Sequence, residues 1–230
     1  MENIRVCCMK RILTGVLLLL SAGCLQAQQV DSSYHNYLYD SRVAYFRQLP
    51  AVKEAIVFWG DSITHWGDWA ELLGFGKVLN RGIAGDNTYG LKARLDEVLR
   101  HQPRKLFILI GTNDINKKIP LGYIVANYGR MIRQLKAHSP ATAVYVQSVF
   151  PINDQLIGRQ YYTGTNEQIA ALNKALRQMA EAEQVTYVDV YSCLLDADQQ
   201  LDARYTYDGL HLSGKGYLAW VQCLRQQRLL

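Results

Sequence analysis

This sequence is poor in the features that mark several large functional classes. No run of lysine and arginine interleaves with aromatic residues, and 25 basic against 20 acidic residues give a formal charge of only +5. The basic stripe that tracks a nucleic-acid backbone is therefore missing, and no nucleic-acid partner is expected. Proline is scarce, at 5 residues, and no stretch is rich in Pro, Gly and Ser together. Linkers, low-complexity tracts and internal repeats are absent, and 230 residues suit one domain with a sizeable core. The glycine-rich "GIAGDNTYG" (82–90) has neither GxGxxG spacing nor a Walker lysine, which argues against a phosphate cradle.

Cysteine is also sparse, and its placement depends on the N-terminus. "MKRILTGVLLLLSAGCLQAQ" (9–28) runs from basic residues through an apolar stretch to small residues, the three parts of a secretory signal. The apolar part is too short to span a bilayer. Cleavage after Ala27 makes 1–27 a leader and 28–230 a single domain. It removes Glu2, Arg5, Lys10 and Arg11, leaving 5 − 2 = +3. Two variants of this reading stay open: Met9 as the true start, and "SAGC" as a lipoprotein signal with Cys24 lipidated, although Ser21 stands where Leu is usual. Of the 5 cysteines, Cys193 and Cys223 lie beyond the leader. Two cysteines in an exported protein are candidates for one disulfide, whose formation the spacing does not decide. Neither has Cys or His neighbours at zinc-ligand spacing.

Against this background five apolar or β-branched runs stand out: "AIVFW" (55–59), "KVLN" (77–80), "LFILI" (106–110), "AVYVQSV" (143–149) and "VTYVDV" (185–190). Between them "TYGLKARLDEVLR", "IVANYGRMIRQLKAH" and "NEQIAALNKALRQMAEAE" repeat apolar residues at helical spacing, and "SGKGYLAWVQCLRQQ" closes the chain. Strands alternating with helices predict a parallel sheet covered on both faces. Residues 28–50 form an N-terminal extension with one more helix, and 151–165 is the longest irregular connection. In such folds ligands bind beyond the carboxyl ends of the strands, which directs attention to the residues just after each run.

The first run passes into "GDS", placing Ser62 at a strand-to-helix turn. Serine there is a good helix cap, and the same turn can present a nucleophile. A nucleophilic serine needs a base. His35 lies in the extension, and His101 and His138 fall at helix ends; His65 and His211 remain. Asp208 precedes His211 by three residues in "DGLHLS", close enough for its carboxylate to orient the imidazole, or simply to form an Asx-turn. An acyl-transfer site also needs oxyanion donors. Gly82, Gly85 and Gly90 offer backbone N–H groups, and Asn113 in "GTND" offers an amide. Each also fits an ordinary turn.

Taken together, "GDSIT" (60–64), "NRGIAGDNT" (80–88), "GTND" (111–114) and "DGLHLS" (208–213) resemble, in order, the motif blocks of the SGNH hydrolases, also called the GDSL esterase family. The wording is nearest the branch holding platelet-activating-factor acetylhydrolase subunits and bacterial carbohydrate or sialate acetylesterases. The resemblance implies a three-layer α/β, flavodoxin-like sandwich with a five-stranded parallel sheet. It implies Ser62 as nucleophile, His211 as base and Asp208 as its orienting acid. The oxyanion donors would be the Ser62 N–H, the Gly85 N–H and the Asn113 side chain. No metal or organic cofactor is implied. The expected activity is that of an exported serine esterase acting on small acyl, chiefly acetyl, esters of glycans. A thioesterase or lysophospholipase on the same machinery and a non-catalytic glycan-binding module are the alternatives. Trp66, Trp69, Tyr161 and Tyr162 are candidates for an aromatic platform, with buried packing the expected role of at least half of them.

Overall fold

The computed structural model describes residues 30–74 and 76–230; the leader reading of 1–27, with its Met9 and Cys24 variants, lies outside them. The five apolar runs become five strands, β1 (Ile56–Gly60), β2 (Val78–Gly82), β3 (Lys105–Leu109), β4 (Ala143–Gln147) and β5 (Thr186–Val188). They pair in the order β2-β1-β3-β4-β5, all parallel, as the flavodoxin-like expectation requires. Successive strand residues face opposite sides. Val57 and Trp59 of β1 thus join one core with Leu106, Ile108 and Val146, while Phe58 joins the other with Phe107 and Leu109.

The first core is covered by α4 (Thr88–Ala93), α5 (Leu95–Leu99), α7 (Leu121–His138) and α8 (Asn166–Ala182). Thr165 and Gln168 close a capping box at the start of α8, a reciprocal bond that satisfies two otherwise free N–H groups. The second core is covered by α3 (Trp69–Leu73) and α9 (Gly214–Gln226). It is an aromatic stack: Phe58 lies 3.6 Å from Trp69 and 4.9 Å from Phe107, and Trp220 meets Trp69 edge-on at 4.6 Å. Such pairs add roughly 0.5–1.5 kcal/mol each beyond simple burial.

Two features depart from the sequence pattern. The segment 88–99 reads as one helix but breaks at Arg94, because that side chain turns inward. Its Nε donates to Asp86 at 2.9 Å and its two other nitrogens to the carbonyls of Arg81 and Gly60. One guanidinium thereby ties together the ends of β1 and β2. The run 185–190 yields a strand of only 3 residues, since β4 offers partners only as far as Gln147.

The extension forms α1 (Tyr37–Gln48), capped by Asn36, with Tyr39, Val43 and Phe46 buried. The Tyr39 hydroxyl donates to the Gly90 carbonyl at 2.8 Å, and the Asn87 amide donates to the Ser33 carbonyl at 2.9 Å. Cys193, in a short 3-10 turn (Ser192–Leu194), is joined by a disulfide to Cys223 of α9. Among the described residues no helix is long and apolar enough to cross a membrane.

Candidate active site

At the end of β1 the chain turns within one residue. A Cβ on Gly60 would stand 2.2 Å from the Leu109 carbonyl oxygen and 2.4 Å from Thr64 Oγ1, so only glycine fits. Asp61 then caps α2 (Ser62–His65), accepting from the Ile63 N–H at 3.0 Å. Helix α2 rests on β2 through the Asn80 side chain, which donates to the carbonyls of His65 and Gly67. The turn leaves Ser62 part-exposed at the carboxyl edge of the sheet.

There it meets a turn from the far end of the sequence. Ser62 Oγ lies 3.1 Å from His211 Nε2, and His211 Nδ1–H donates to Asp208 Oδ2 at 2.6 Å. Asp208 Oδ1 accepts the backbone N–H of His211 at 2.7 Å and of Leu210 at 2.9 Å. Partial burial alone would raise the Asp208 carboxyl, but bonds from the His211 ring and from these backbone groups outweigh it and hold the acid below its usual range. Thr206 closes the turn: its hydroxyl donates to the His211 carbonyl at 2.7 Å and accepts the Gly209 N–H at 2.9 Å. Gly209 has φ +85°, and a Cβ there would press within 2.6 Å of the Ile157 nitrogen. The Asn153 N–H donates to the Gly209 carbonyl at 2.8 Å. The irregular 151–165 connection is thereby clamped to the Asp–His turn.

The Gly85 loop and Asn113 are equally built. Gly85 is exposed with φ +80°, and a Cβ there would meet nothing within 4 Å. Backbone conformation rather than space calls for glycine. Asn113, in α6 (Thr112–Asn116), donates one amide hydrogen to the Asp86 carbonyl at 2.8 Å, fixing the amide against the Gly85 loop and leaving its second hydrogen available. Beneath this loop lie buried carboxylates. Asp86 accepts from Arg94 and from the Asn87 N–H at 2.8 Å. Asp114 accepts the N–H and, at 2.5 Å, the hydroxyl of Thr88. Burial raises Asp61 to about 7 and Asp86 and Asp114 each to about 6.

A GDSL-like lipase/acylhydrolase family model matches residues 58–219, a span that takes in all four motif blocks. The chain belongs to this family. It is an acylhydrolase, a carboxylic ester hydrolase of the GDSL type. It is 28% identical over 195 residues to an isoamyl acetate-hydrolyzing esterase 1 homolog of Bos taurus, covering 73% of this chain and 78% of the bovine one. A Streptococcus pneumonia protein, provisionally described as a platelet activating factor, superposes with TM-score 0.77 at 35% identity, over 83% of this chain and 92% of that one. An acetylxylan esterase from Geobacillus stearothermophilus, seen as a catalytic mutant, shares the fold with TM-score 0.62 at 20% identity, over 77% and 95% of the two chains.

In this GDSL-type acylhydrolase, Ser62, His211 and Asp208 come together in one hydrogen-bonded chain, and Asn113 joins the Gly85 loop. His65, the rival base, does not face Ser62: its Nδ1 lies 3.0 Å from the Gly82 carbonyl oxygen, and burial lowers its pKa. Gly82 is a packing glycine, since a Cβ there would lie 2.1 Å from the His65 nitrogen. His101 is fully buried between the Val52 N–H and Glu97. Of the four platform candidates half pack in the core, as expected. Trp69 and Tyr162 are buried, Trp69 in the stack on Phe58 with its Nε1–H on the Thr64 carbonyl. Trp66 and Tyr161 are exposed. Sequence reasoning passed over Arg94, Asp86 and Asp114 as supports of the donor loop, and Tyr207 beside the acid. The acids of "GDN" and "GTND" were the available signal for two of them. Among the described residues no group of three or more His, Cys, Asp or Glu side chains converges as metal ligands would.

Proposed function

We propose that this chain is an exported serine esterase that removes small acyl groups, chiefly acetyl, from glycans through an acyl-enzyme. The observation that carries the reading is the Ser62–His211–Asp208 chain, at 3.1 and 2.6 Å. As Ser62 Oγ attacks the ester carbonyl carbon, its proton passes to His211 Nε2 and the carbonyl electron pair moves to oxygen. The Ser62 and Gly85 N–H groups and the free amide hydrogen of Asn113 receive that oxyanion. Collapse restores the carbonyl and breaks the ester C–O bond, and the departing alkoxide takes the proton from Nε2. Water then repeats the sequence on acyl-Ser62 and releases the acid. Asp208 stays ionised throughout and stabilises the imidazolium.

Export rests on the leader pattern and on the Cys193–Cys223 disulfide, a bond that persists in oxidising compartments. The acetyl preference rests on relatives named for isoamyl acetate and acetylxylan, and the glycan preference on export and exposed aromatic rings. The test compares the wild-type and Ser62→Ala proteins on p-nitrophenyl acetate, with a fluorophosphonate probe mapping the nucleophile. Turnover lost in the variant and label confined to Ser62 are expected. Appreciable activity in the variant, or label elsewhere, removes Ser62 from the mechanism.

A further inference from the structure

We propose that Trp66 and Tyr207 wall a leaving-group subsite, which holds the alcohol half of the ester and favours ring-shaped alcohols with an apolar C–H face, such as pyranosides, over small flexible ones. The inference rests on the esterase reading above and adds to it where the alcohol binds and what selects it.

The chemistry fixes the place. His211 Nε2 must return a proton to the bridging oxygen as the C–O bond breaks, so that oxygen lies within about 3 Å of Nε2. The first carbons of the alcohol therefore rest beside the imidazole. Two aromatic rings already border it: Trp66, with centroids 4.5 Å apart and planes at 53°, and Tyr207, at 6.2 Å and nearly parallel at 16°. Of the 4 tryptophans, Trp59, Trp69 and Trp220 are buried, whereas Trp66 is 47% exposed; Tyr207 is 61% exposed. Large apolar surface grouped about a reactive centre is the mark of a ligand face.

The backbone that carries each ring is also held in place. The Trp66 backbone N–H closes α2 on the Ser62 carbonyl at 3.1 Å, so the Trp66 backbone is set one helical turn beyond Ser62. Tyr207 adjoins Asp208 within the turn that Thr206 closes. The short segments that aim Ser62 and His211 thus carry these rings too. Each ring offers a flat apolar face with a polar tip, indole N–H or phenol O–H, a combination that suits a pyranose, with its apolar C–H face and hydroxyl edge, better than an ethyl group.

The alternative is that the rings merely steady His211. A leaving-group series on the full chain separates the two, because every acetate passes through the same acetyl-enzyme and only acylation sees the alcohol. We compare kcat/KM for ethyl acetate, cyclohexyl acetate and a methyl pyranoside monoacetate in the wild type, Trp66→Ala, Trp66→Phe and Tyr207→Ala. Trp66→Ala is expected to lose about tenfold on both ring acetates, the scale of one aromatic contact, and less than about threefold on ethyl acetate. Tyr207→Ala should move in the same direction, and Trp66→Phe should recover most of the loss. An equal loss on all three esters, or none, overturns the subsite. Failure of the wild type to turn over any acetate would instead overturn the acetylesterase reading, and the subsite with it.

Discussion

Asn113 offers the sharpest test of the donor side, because it forms no covalent bond and moves no proton. In Asn113→Ala two hydrogen bonds are at stake, and they report on different quantities. The first is the 2.8 Å bond from the side-chain amide to the Asp86 carbonyl, present in the resting protein. A neutral bond at a part-buried site contributes about 0.5–1.5 kcal/mol. For a domain of about 200 residues this lowers Tm by roughly 2–4 °C per kcal/mol. The second is the proposed bond to the oxyanion, which would form only when the substrate carbonyl becomes charged. Loss of one such donor costs about 100- to 1,000-fold in kcat, or roughly 2.7–4 kcal/mol. KM should change far less if it follows substrate affinity. The assay is steady-state hydrolysis of p-nitrophenyl acetate, paired with a thermal melt of the same preparation. A Tm drop of a few degrees with a kcat defect of at least 100-fold is expected. A variant that melts lower but keeps kcat within about threefold would show Asn113 to be a loop anchor only, and the oxyanion assignment would fall.

Other expectations are as specific. His211→Ala should abolish turnover, whereas His65→Ala should retain most of it because the His65 ring serves the Gly82 carbonyl; p-nitrophenyl acetate kinetics decide, and the reverse outcome would move the base to His65. Asp61, raised by burial to about 7, binds its proton more tightly folded than unfolded, so its contribution to stability is full below about pH 4 and is lost as pH rises towards 7. Asp61→Asn should flatten the fall of Tm between pH 5 and 8, with Asp86 and Asp114, raised in the same direction, keeping some slope; identical slopes in variant and wild type would refute this. Replacing Cys193 and Cys223 together by serine opens a cross-link 30 residues apart in sequence and should cost about 3–4 kcal/mol on the loop-entropy account, read from denaturant unfolding at unchanged kcat.

The strands were legible because a sheet buried on both faces needs apolar residues in succession, and "LFILI" or "AIVFW" can hardly serve otherwise. The Ser62, Asp208 and His211 cluster was legible because each sits in a short turn whose residues suit that turn and little else. Arg94 was not. A helical pattern tolerates arginine anywhere, and nothing local tells that this one points inward towards Asp86 and two strand ends. Which of the four platform candidates would be buried was illegible for a related reason: an aromatic residue near a site is equally at home in the core, and only the fold decides which side of the chain is wet. The Cys193–Cys223 pairing waited on tertiary structure, since it depends on how α9 returns to the turn after β5.

The distance in sequence between the two halves of the site bears on when activity can begin. Ser62, Gly85 and Asn113 all come from the first half of the chain, whereas Asp208 and His211 arrive near its end, 149 positions separating Ser62 from His211. A domain generally folds as a unit. Until its two halves meet, the proposed nucleophile is an ordinary alcohol without a base, inert towards any ester it meets. The Tyr217 hydroxyl of α9 donates to the Ile63 carbonyl at 2.7 Å, and Trp220 seats edge-on against Trp69. Docking of α9 therefore completes the aromatic core and brings the proposed base to Ser62 in one event. On this reading hydrolysis reports that α9 has docked, and a chain whose α9 is displaced stays silent.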